Sequence, residues 1–266
     1  MNMTDSAPNQ RQNEITDLLR GQDFLSVEEL AARFEVTTQT IRRDINQLCE
    51  MGAARRLHGG VARMAGHAGS GSGNMSFRDR EVLNRAAKMQ IAATVAKHIP
   101  NGASVSFGIG TTPRMVAEHL GQHRNLKIVT NNLSIALTMA MQGDFEVTMA
   151  GGQLRNSDLD VCSVAAEEMF AGFRVDIAVF GVGGIDPDGT LLDFSGAEVR
   201  IREAMRTHAR RSFLVLDATK FGRVAHVRGG RIEEASAIFC DAPLPEDMHD
   251  FLPQSGAEFV ICPPVS

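Results

Sequence analysis

The chain of 266 residues contains no tryptophan and no tyrosine, and only 5% of it is aromatic. Platforms on which unpaired bases stack are therefore not expected. Cysteine is nearly as scarce: Cys49, Cys162, Cys240 and Cys262 stand singly in apolar segments, with no C-x-x-C pair. That spacing points to reduced, buried thiols in a cytoplasmic protein, and to neither disulfides nor a metal site; no cofactor is expected. No run of eighteen apolar residues occurs, which argues against a membrane-spanning helix. Met1 to Arg11 have neither the basic start nor the apolar stretch of a secretory leader.

An overall basic excess is lacking too, since the net charge is −5. A whole-chain sum hides local patches, and what matters for phosphate is the charge on one face. Between Thr38 and Arg63 stand Arg42, Arg43, Arg55, Arg56 and Arg63 against only Asp44 and Glu50.

What is present begins with an ordered series of short helices. Ile15, Leu18 and Leu19 share one helix face, and Gly21-Gln22-Asp23 ends it. Ser26 and Glu29 have the spacing of a capping box, followed by the apolar stripe Val27, Leu30, Ala31 and Phe34. Glu35-Val36-Thr37 then leads directly into a helix from Thr38 to about Met51. Two helices joined by a tight turn, the second basic, form the helix-turn-helix pattern.

Within that second helix Ile41, Ile45 and Leu48 fall on one side, and Gln39, Arg42, Arg43 and Asn46 on the other. Amides and guanidinium groups pair with adenine and guanine edges in the major groove. A solvated polar face has the same pattern; the capping box, the turn length and the downstream arginines favour DNA. Ala53 to Val61, with its Gly59-Gly60 turn, reads as a β-hairpin wing carrying Arg55 and Arg56 as phosphate clamps. His58 in that turn is read first as structural. Residues 64–75 are rich in Gly, Ser and Ala and read as a flexible linker. The expected organisation is a winged helix-turn-helix over 1–63, the linker, and a sensor domain over 76–266.

The larger part alternates apolar strands with amphipathic helices, the pattern of an α/β domain with a mostly parallel sheet covered on both faces. Expected strands are 104–109, 127–131, 146–150, 177–182, 213–217, 237–240 and 259–262. Expected helices are 85–99, 114–120, 133–142, 164–171, 197–208 and 245–251. Ligands in such sheets sit at the C-terminal ends of strands. There the sequence places Gly110-Thr111-Thr112-Pro113, whose amides and hydroxyls suit a phosphate at a helix start. A tight strand–helix turn needing glycine is the alternative for that motif alone. Asn131-Asn132, Gly151-Gly152, Gly183 and Lys220 at other strand ends would converge on the same edge. Amides, glycines and one cation are what a small phosphorylated sugar or polyol needs. Asp193 and Glu198 are read as helix-terminal carboxylates and Arg155 as an exposed loop arginine.

Several stretches carry a resemblance: Val36-Thr37-Thr38-Gln39-Thr40-Ile41-Arg42-Arg43-Asp44-Ile45, Arg56-Leu57-His58-Gly59-Gly60, Ile109-Gly110-Thr111-Thr112, Thr130-Asn131-Asn132-Leu133 and Asp217-Ala218-Thr219-Lys220-Phe221-Gly222. Through them nearly the whole chain resembles the DeoR family of bacterial sugar-metabolism repressors. The resemblance implies a sensor fold like that of ribose-5-phosphate isomerase and a homo-oligomer, dimer or tetramer. It also implies a double-stranded DNA operator contacted through Thr38, Gln39, Thr40, Arg42, Arg43, Asn46, Arg55, Arg56 and His58. The effector it implies is a sugar phosphate or glycerol 3-phosphate, held by Gly110, Thr111, Thr112, Asn131, Asn132, Gly151, Gly152, Gly183 and Lys220. Two positions depart from the family pattern: Gly108 where an Asp is usual, and Cys162 where a Gly is usual. A competing reading is a sugar-phosphate isomerase with an appended regulatory domain, but that chemistry needs a base and position 108 lacks the carboxylate.

Overall fold

The computed structural model describes residues 10–21, 24–50, 54–57, 59–63, 77–252 and 255–265. The chain divides into two compact units, Met1–Met75 and Ser76–Ser266. His58 and the segment 64–75 read as a linker lie outside the described residues.

The first unit holds α1 (Gln10–Gly21), β1 (Phe24–Ser26), α2 (Val27–Arg33), α3 (Thr38–Glu50), β2 (Ala54–Leu57) and β3 (Gly60–Arg63). The capping box forms as expected: the Glu29 amide donates to Ser26 Oγ at 3.1 Å, and the Ser26 amide donates back to the Glu29 carboxylate at 3.1 Å. The turn into α3 is made by Glu35, at φ 52°, and by Thr37, whose hydroxyl accepts from the Thr40 amide at 3.2 Å. Ile15, Leu30, Ile41 and Leu48 meet in one core. Beneath them Asp44 ties α3 to α1, accepting from Arg11 Nε at 2.6 Å and from Gln12 Nε2 at 3.2 Å. The wing has one strand more than expected. β1 pairs antiparallel with β3, which pairs with β2, giving the order β1-β3-β2. Gly60 is obligatory there, because a Cβ would lie 2.2 Å from the Leu25 carbonyl oxygen.

The second unit opens with α4 (Phe77–Val82) and α5 (Arg85–Lys97). There follow β4 (Ser104–Phe107), α6 (Thr111–Glu118), β5 (Lys127–Thr130), α7 (Leu133–Gln142), β6 (Glu146–Met149), α8 (Val164–Ala171) and β7 (Val175–Phe180). Next come β8 (Gly184–Ile185), β9 (Thr190–Asp193), α9 (Gly196–Thr207), β10 (Ala209–Val215), β11 (Val227–Arg231), β12 (Ala237–Cys240) and β13 (Glu258–Ile261). Seven strands form one sheet in the order β13-β12-β10-β7-β4-β5-β6, and each pairing is parallel. β8, β9 and β11 form a small antiparallel sheet that the sequence reading did not anticipate.

Side chains from α5, α6 and α7 pack on one face of the large sheet around Phe107, Phe213 and Phe239. On the other face α8 and α9 cover Val129 and Ala178, with Met205 of α9 in the same cluster, and the small sheet covers Phe180 and Leu214. Pro245 does not start an α-helix: Glu246–Phe251 is a 3-10 segment. α6 starts at Thr111, three residues earlier than expected, because Gly110 turns the chain straight into the helix at φ 123°. Pro113 then occupies the first turn, where a missing N–H costs nothing.

From β4 the chain proceeds outward to β5 and β6, then returns to place β7 on the other side of β4. The sheet therefore reverses its winding between β4 and β7. In doubly wound sheets a crevice opens at such a reversal, beyond the C-terminal ends of the strands.

Candidate nucleic-acid and effector sites

The expected reading face of α3 is a real surface. Thr38, Gln39, Arg42, Arg43 and Asn46 are exposed, while Ile41, Ile45 and Leu48 are buried. Thr40 is half-buried, and its hydroxyl lies 2.9 Å from that of Thr37, so it helps fix the helix start. Arg55 and Arg56 lie on β2, two residues of a hairpin strand.

In the second unit the strand ends form two adjoining environments. The first is a small cavity of about 20 Å³ at the β4–β7 reversal, walled by Gly108, Asn131, Phe180, Asp193, Glu198 and Met205 among others. The second is a group of cations around Asp217, which lies beyond the end of β10 and caps the 3-10 turn Ala218–Lys220 by accepting from the Thr219 amide. Lys220 is half-buried, and its ammonium makes no ion pair among the described residues. Burial pushes its pKa down to about 7, and Arg223, Arg80 and Lys88 push the same way against the pull of Asp217. Lys88, on α5, is buried and donates to the carbonyl oxygens of Arg80 and Leu83. Its pKa falls to about 8, through burial first, then Arg80 and Arg223, again opposed by Asp217. The charge of Lys220 also reaches Asp193 in the cavity wall, so the two environments adjoin.

The sequence reading missed Lys88, Arg80 and Arg223 as members of this group. A lysine inside an amphipathic helix reads as solvated, and Asp217 and Arg223, which act on its charge, lie far from it in sequence. Conversely, not every expected residue faces the crevice. Thr111 and Thr112 begin α6, whose first amides have no partner within the helix, and so remain available at the reversal. Asn132 is consumed by the fold: it caps α7 by accepting from the Ile135 amide at 3.0 Å and donates to the Asp158 carbonyl at 2.8 Å. The Gly183 amide donates to Asp193 Oδ1 at 2.9 Å. Gly151 and Gly152 are exposed beyond the edge strand β6 and are not among the cavity walls.

Asp193 and Arg155 have roles other than those expected, while Glu198 stands in the first turn of α9 as expected and has a further partner. Asp193 caps no helix; it accepts from Arg202 Nε at 3.0 Å and Nη2 at 2.9 Å. Ser195 caps α9 instead, accepting from the Glu198 amide. The Glu198 carboxylate is held by Arg155 at 2.9 Å, and Arg155 also grips the buried Asp160 with two donors at 3.0 and 2.8 Å. Arg155 is thus part of a buried network, not a free loop residue. Burial raises the pKa of both Asp193 and Glu198 against the pull of their arginines.

Comparison with known proteins agrees with this organisation. Residues 11–65 match the model of the DeoR-like helix-turn-helix domain, and residues 83–242 match the DeoR C terminal sensor domain. The chain is 41% identical to the glycerol-3-phosphate regulon repressor of Escherichia coli (strain K12), over 95% of this chain and 98% of that one. It is 39% identical to the protein of that name from Haemophilus influenzae, over 95% and 96%. To the HTH-type transcriptional repressor CsqR of Escherichia coli it is 35% identical, over 98% of each chain. Among solved structures, ribose 5-phosphate isomerase A of Methanocaldococcus jannaschii is 16% identical and aligns over 52% of this chain and 55% of that one, with a TM-score of 0.38. With matches spanning both units and nearly the full length of its curated relatives, the chain belongs to the DeoR family of transcriptional regulators.

Proposed function

We propose that the chain is a DNA-binding transcriptional repressor of carbohydrate or glycerol metabolism genes, acting in the cytoplasm as a homo-oligomer, dimer or tetramer. Two copies of α3 engage an inverted-repeat, double-stranded operator, with half-sites one helical turn or a multiple apart. Gln39, Arg42, Arg43 and Asn46 read bases; Thr38, Thr40, Arg55, Arg56 and His58 hold the backbone. A phosphorylated small molecule binds at the strand ends of the sensor unit and favours the DNA-free form. A ligand shifts such an equilibrium only by its differential affinity for the two forms.

The observation that carries the effector assignment is Lys220. A half-buried lysine without an ion-pair partner among the described residues, set among Arg80, Lys88 and Arg223, stabilises an anion that supplies the missing charge. The α6 amides from Gly110 to Thr112 add donors for the same phosphate. The relatives named for a glycerol-3-phosphate regulon put glycerol 3-phosphate first among candidate effectors. An isomerase reading needs a carboxylate free to move a proton. The two carboxylates at the cavity are each engaged by a guanidinium group, Asp193 by Arg202 and Glu198 by Arg155.

A gel shift with DNA from upstream of the coding sequence, titrated with glycerol 3-phosphate and a panel of sugar phosphates, tests the proposal. Specific binding released by glycerol 3-phosphate is the expected result. Release only by another phosphate replaces the effector, and an absence of any specific binding overturns the repressor reading.

A further inference from the structure

The cavity at Gly108 contains a hydrogen-bonding group that the fold leaves unused. Asn131 is fully buried, and its Nδ2 donates to the Val161 carbonyl at 2.9 Å. That bond fixes the orientation of the amide, because the reverse orientation would set two oxygens against each other. Asn131 Oδ1 is consequently buried with no hydrogen-bond partner among the described residues. A buried acceptor without a donor is costly, about 1–3 kcal/mol. The other polar walls have no such need: Asp193 is engaged by Arg202 and the Gly183 amide, Glu198 by Arg155, and Cys162 donates to Asp160 at 3.0 Å.

The sign of the charge nearby restricts what the acceptor can receive. Asp193 and Glu198 stand in the cavity wall, so a second anionic group is disfavoured there. Remaining surfaces come from Phe180, Ile201 and Met205, which suit carbon. A volume of about 20 Å³ holds one group the size of a hydroxyl.

Gly108 makes this room. A Cβ at that position would lie 3.4 Å from Met205 Sδ and 3.5 Å from Phe180 Cβ, against the same two side chains that wall the cavity. Those are ordinary contact distances, so glycine is not there to avoid a clash. Nor is it needed for a left-handed backbone, since Gly108 is not among the positive-φ glycines.

We infer that the cavity beneath Gly108 is a hydroxyl-recognition subsite, in which Asn131 Oδ1 accepts a hydrogen bond from a neutral hydroxyl of the effector and Gly108 sets the size of the group admitted. The inference rests on the proposed phosphate site beside it. Effector polarity follows: phosphate toward Lys220 and the α6 amides, hydroxyl toward Asn131. Position 108 then determines which phosphorylated polyol or sugar is accepted.

Calorimetric titration of the full-length protein with two phosphate monoesters tests this. Glycerol 3-phosphate carries hydroxyls, and propyl phosphate has the same three-carbon chain with none. The parent is expected to prefer glycerol 3-phosphate by about tenfold, the worth of one good hydrogen bond in a dry site. Gly108→Ala, whose methyl fits without strain but occupies the cavity mouth, is expected to bring the two esters to equal affinity. An undiminished preference in a Gly108→Ala protein with parental melting temperature overturns the subsite and leaves the phosphate site standing. Failure of the parent to bind either ester, or inorganic phosphate, overturns both.

Discussion

The side-chain amide of Asn84 donates to Asp217 Oδ1 at 2.9 Å, joining residues 133 apart in sequence. Asn84 sits at φ 52° at the entry to α5, and it also donates to Thr219 Oγ1 at 3.1 Å. One polar side chain therefore fastens the turn that carries Lys220 to the helix that carries Lys88. Lys88 is held close enough to depress the protonation of Lys220, and Asp217 is the one carboxylate that pulls both lysines the other way.

The first prediction concerns protons. With Lys220 at about 7 and Lys88 at about 8, both below the ordinary 10.5, the unfolded chain binds more protons than the ligand-free fold from about pH 7 upward. Stability of the ligand-free sensor accordingly rises with pH across that window. Effector binding has the opposite dependence. Bound phosphate favours charged lysines, and a phosphate monoester is already a dianion above its second pKa of about 6. Effector affinity should therefore fall between pH 7 and pH 9, with net proton uptake at pH 8 seen as a buffer-dependent binding enthalpy. Lys220→Ala should reduce the uptake to the share of Lys88 and leave the protein on its operator at effector concentrations that release the parent. Affinity flat from pH 7 to 9 would remove Lys220 from the phosphate site.

A second prediction concerns α3. Arg43 is exposed and contributes nothing to the core of its unit. Arg43→Ala should lower operator affinity by about 1–3 kcal/mol per half-site while the melting temperature and effector affinity hold. Replacing Arg55 or Arg56 should act differently, weakening binding to all sequences and reducing the slope of affinity against salt by about one. Fluorescence anisotropy at several salt concentrations separates the two behaviours. Equal losses on specific and random DNA for Arg43→Ala would make it a backbone contact.

The third prediction concerns Asp44, which adjoins Arg43 but faces the interior. Asp44→Ala removes the acceptor shared by Arg11 and Gln12 and should cost about 1–3 kcal/mol. Thermal unfolding of the N-terminal unit measures it. A melting temperature unchanged within a degree would mean that α1 docks through Ile15 and Leu19 alone.

How far these features were legible in the sequence depended on their range. The α3 face could be read because Ile41, Ile45 and Leu48 recur at helical spacing, and the capping box because Ser26 and Glu29 are three residues apart. Large strands were recognisable from their apolar runs, although β10 begins at Ala209 with the exposed Arg210 and Arg211, where no hydropathy signal exists. β8, β9 and β11 were not recognised. β8 is two residues long, and β11 reads Val-Arg-Gly-Gly-Arg with a register shift, so neither has an alternating pattern. At the site, the glycines and asparagines at strand ends were visible as types, whereas which amide would be consumed was not. Asn131 and Asn132 are neighbours of one type, and only the three-dimensional partners Val161, Ile135 and Asp158 tell them apart.

Arg202 provides the last prediction, because it separates charge from packing beside the cavity. Its guanidinium is almost entirely buried, pairs with Asp193, donates to the Gly229 carbonyl at 2.6 Å and lies 6.0 Å from the centre of the Phe180 ring. It joins α9 to both β9 and β11. Arg202→Met preserves much of the side-chain volume but leaves Asp193 buried without its cation, which should cost about 3–5 kcal/mol at neutral pH. The unpaired carboxyl, already raised by burial, should rise further, so that the fold binds a proton the unfolded chain does not. Stability of the variant should therefore improve as the pH is lowered from 7 to 5, and by more than the parent's, whose Asp193 keeps its cation. Adding Asp193→Asn should recover most of the loss at pH 7, since it removes the buried charge and keeps an acceptor for the Gly183 amide. If the double variant melts no higher than Arg202→Met, the contribution of Arg202 lies in its contacts with Gly229 and Phe180 rather than in neutralising Asp193.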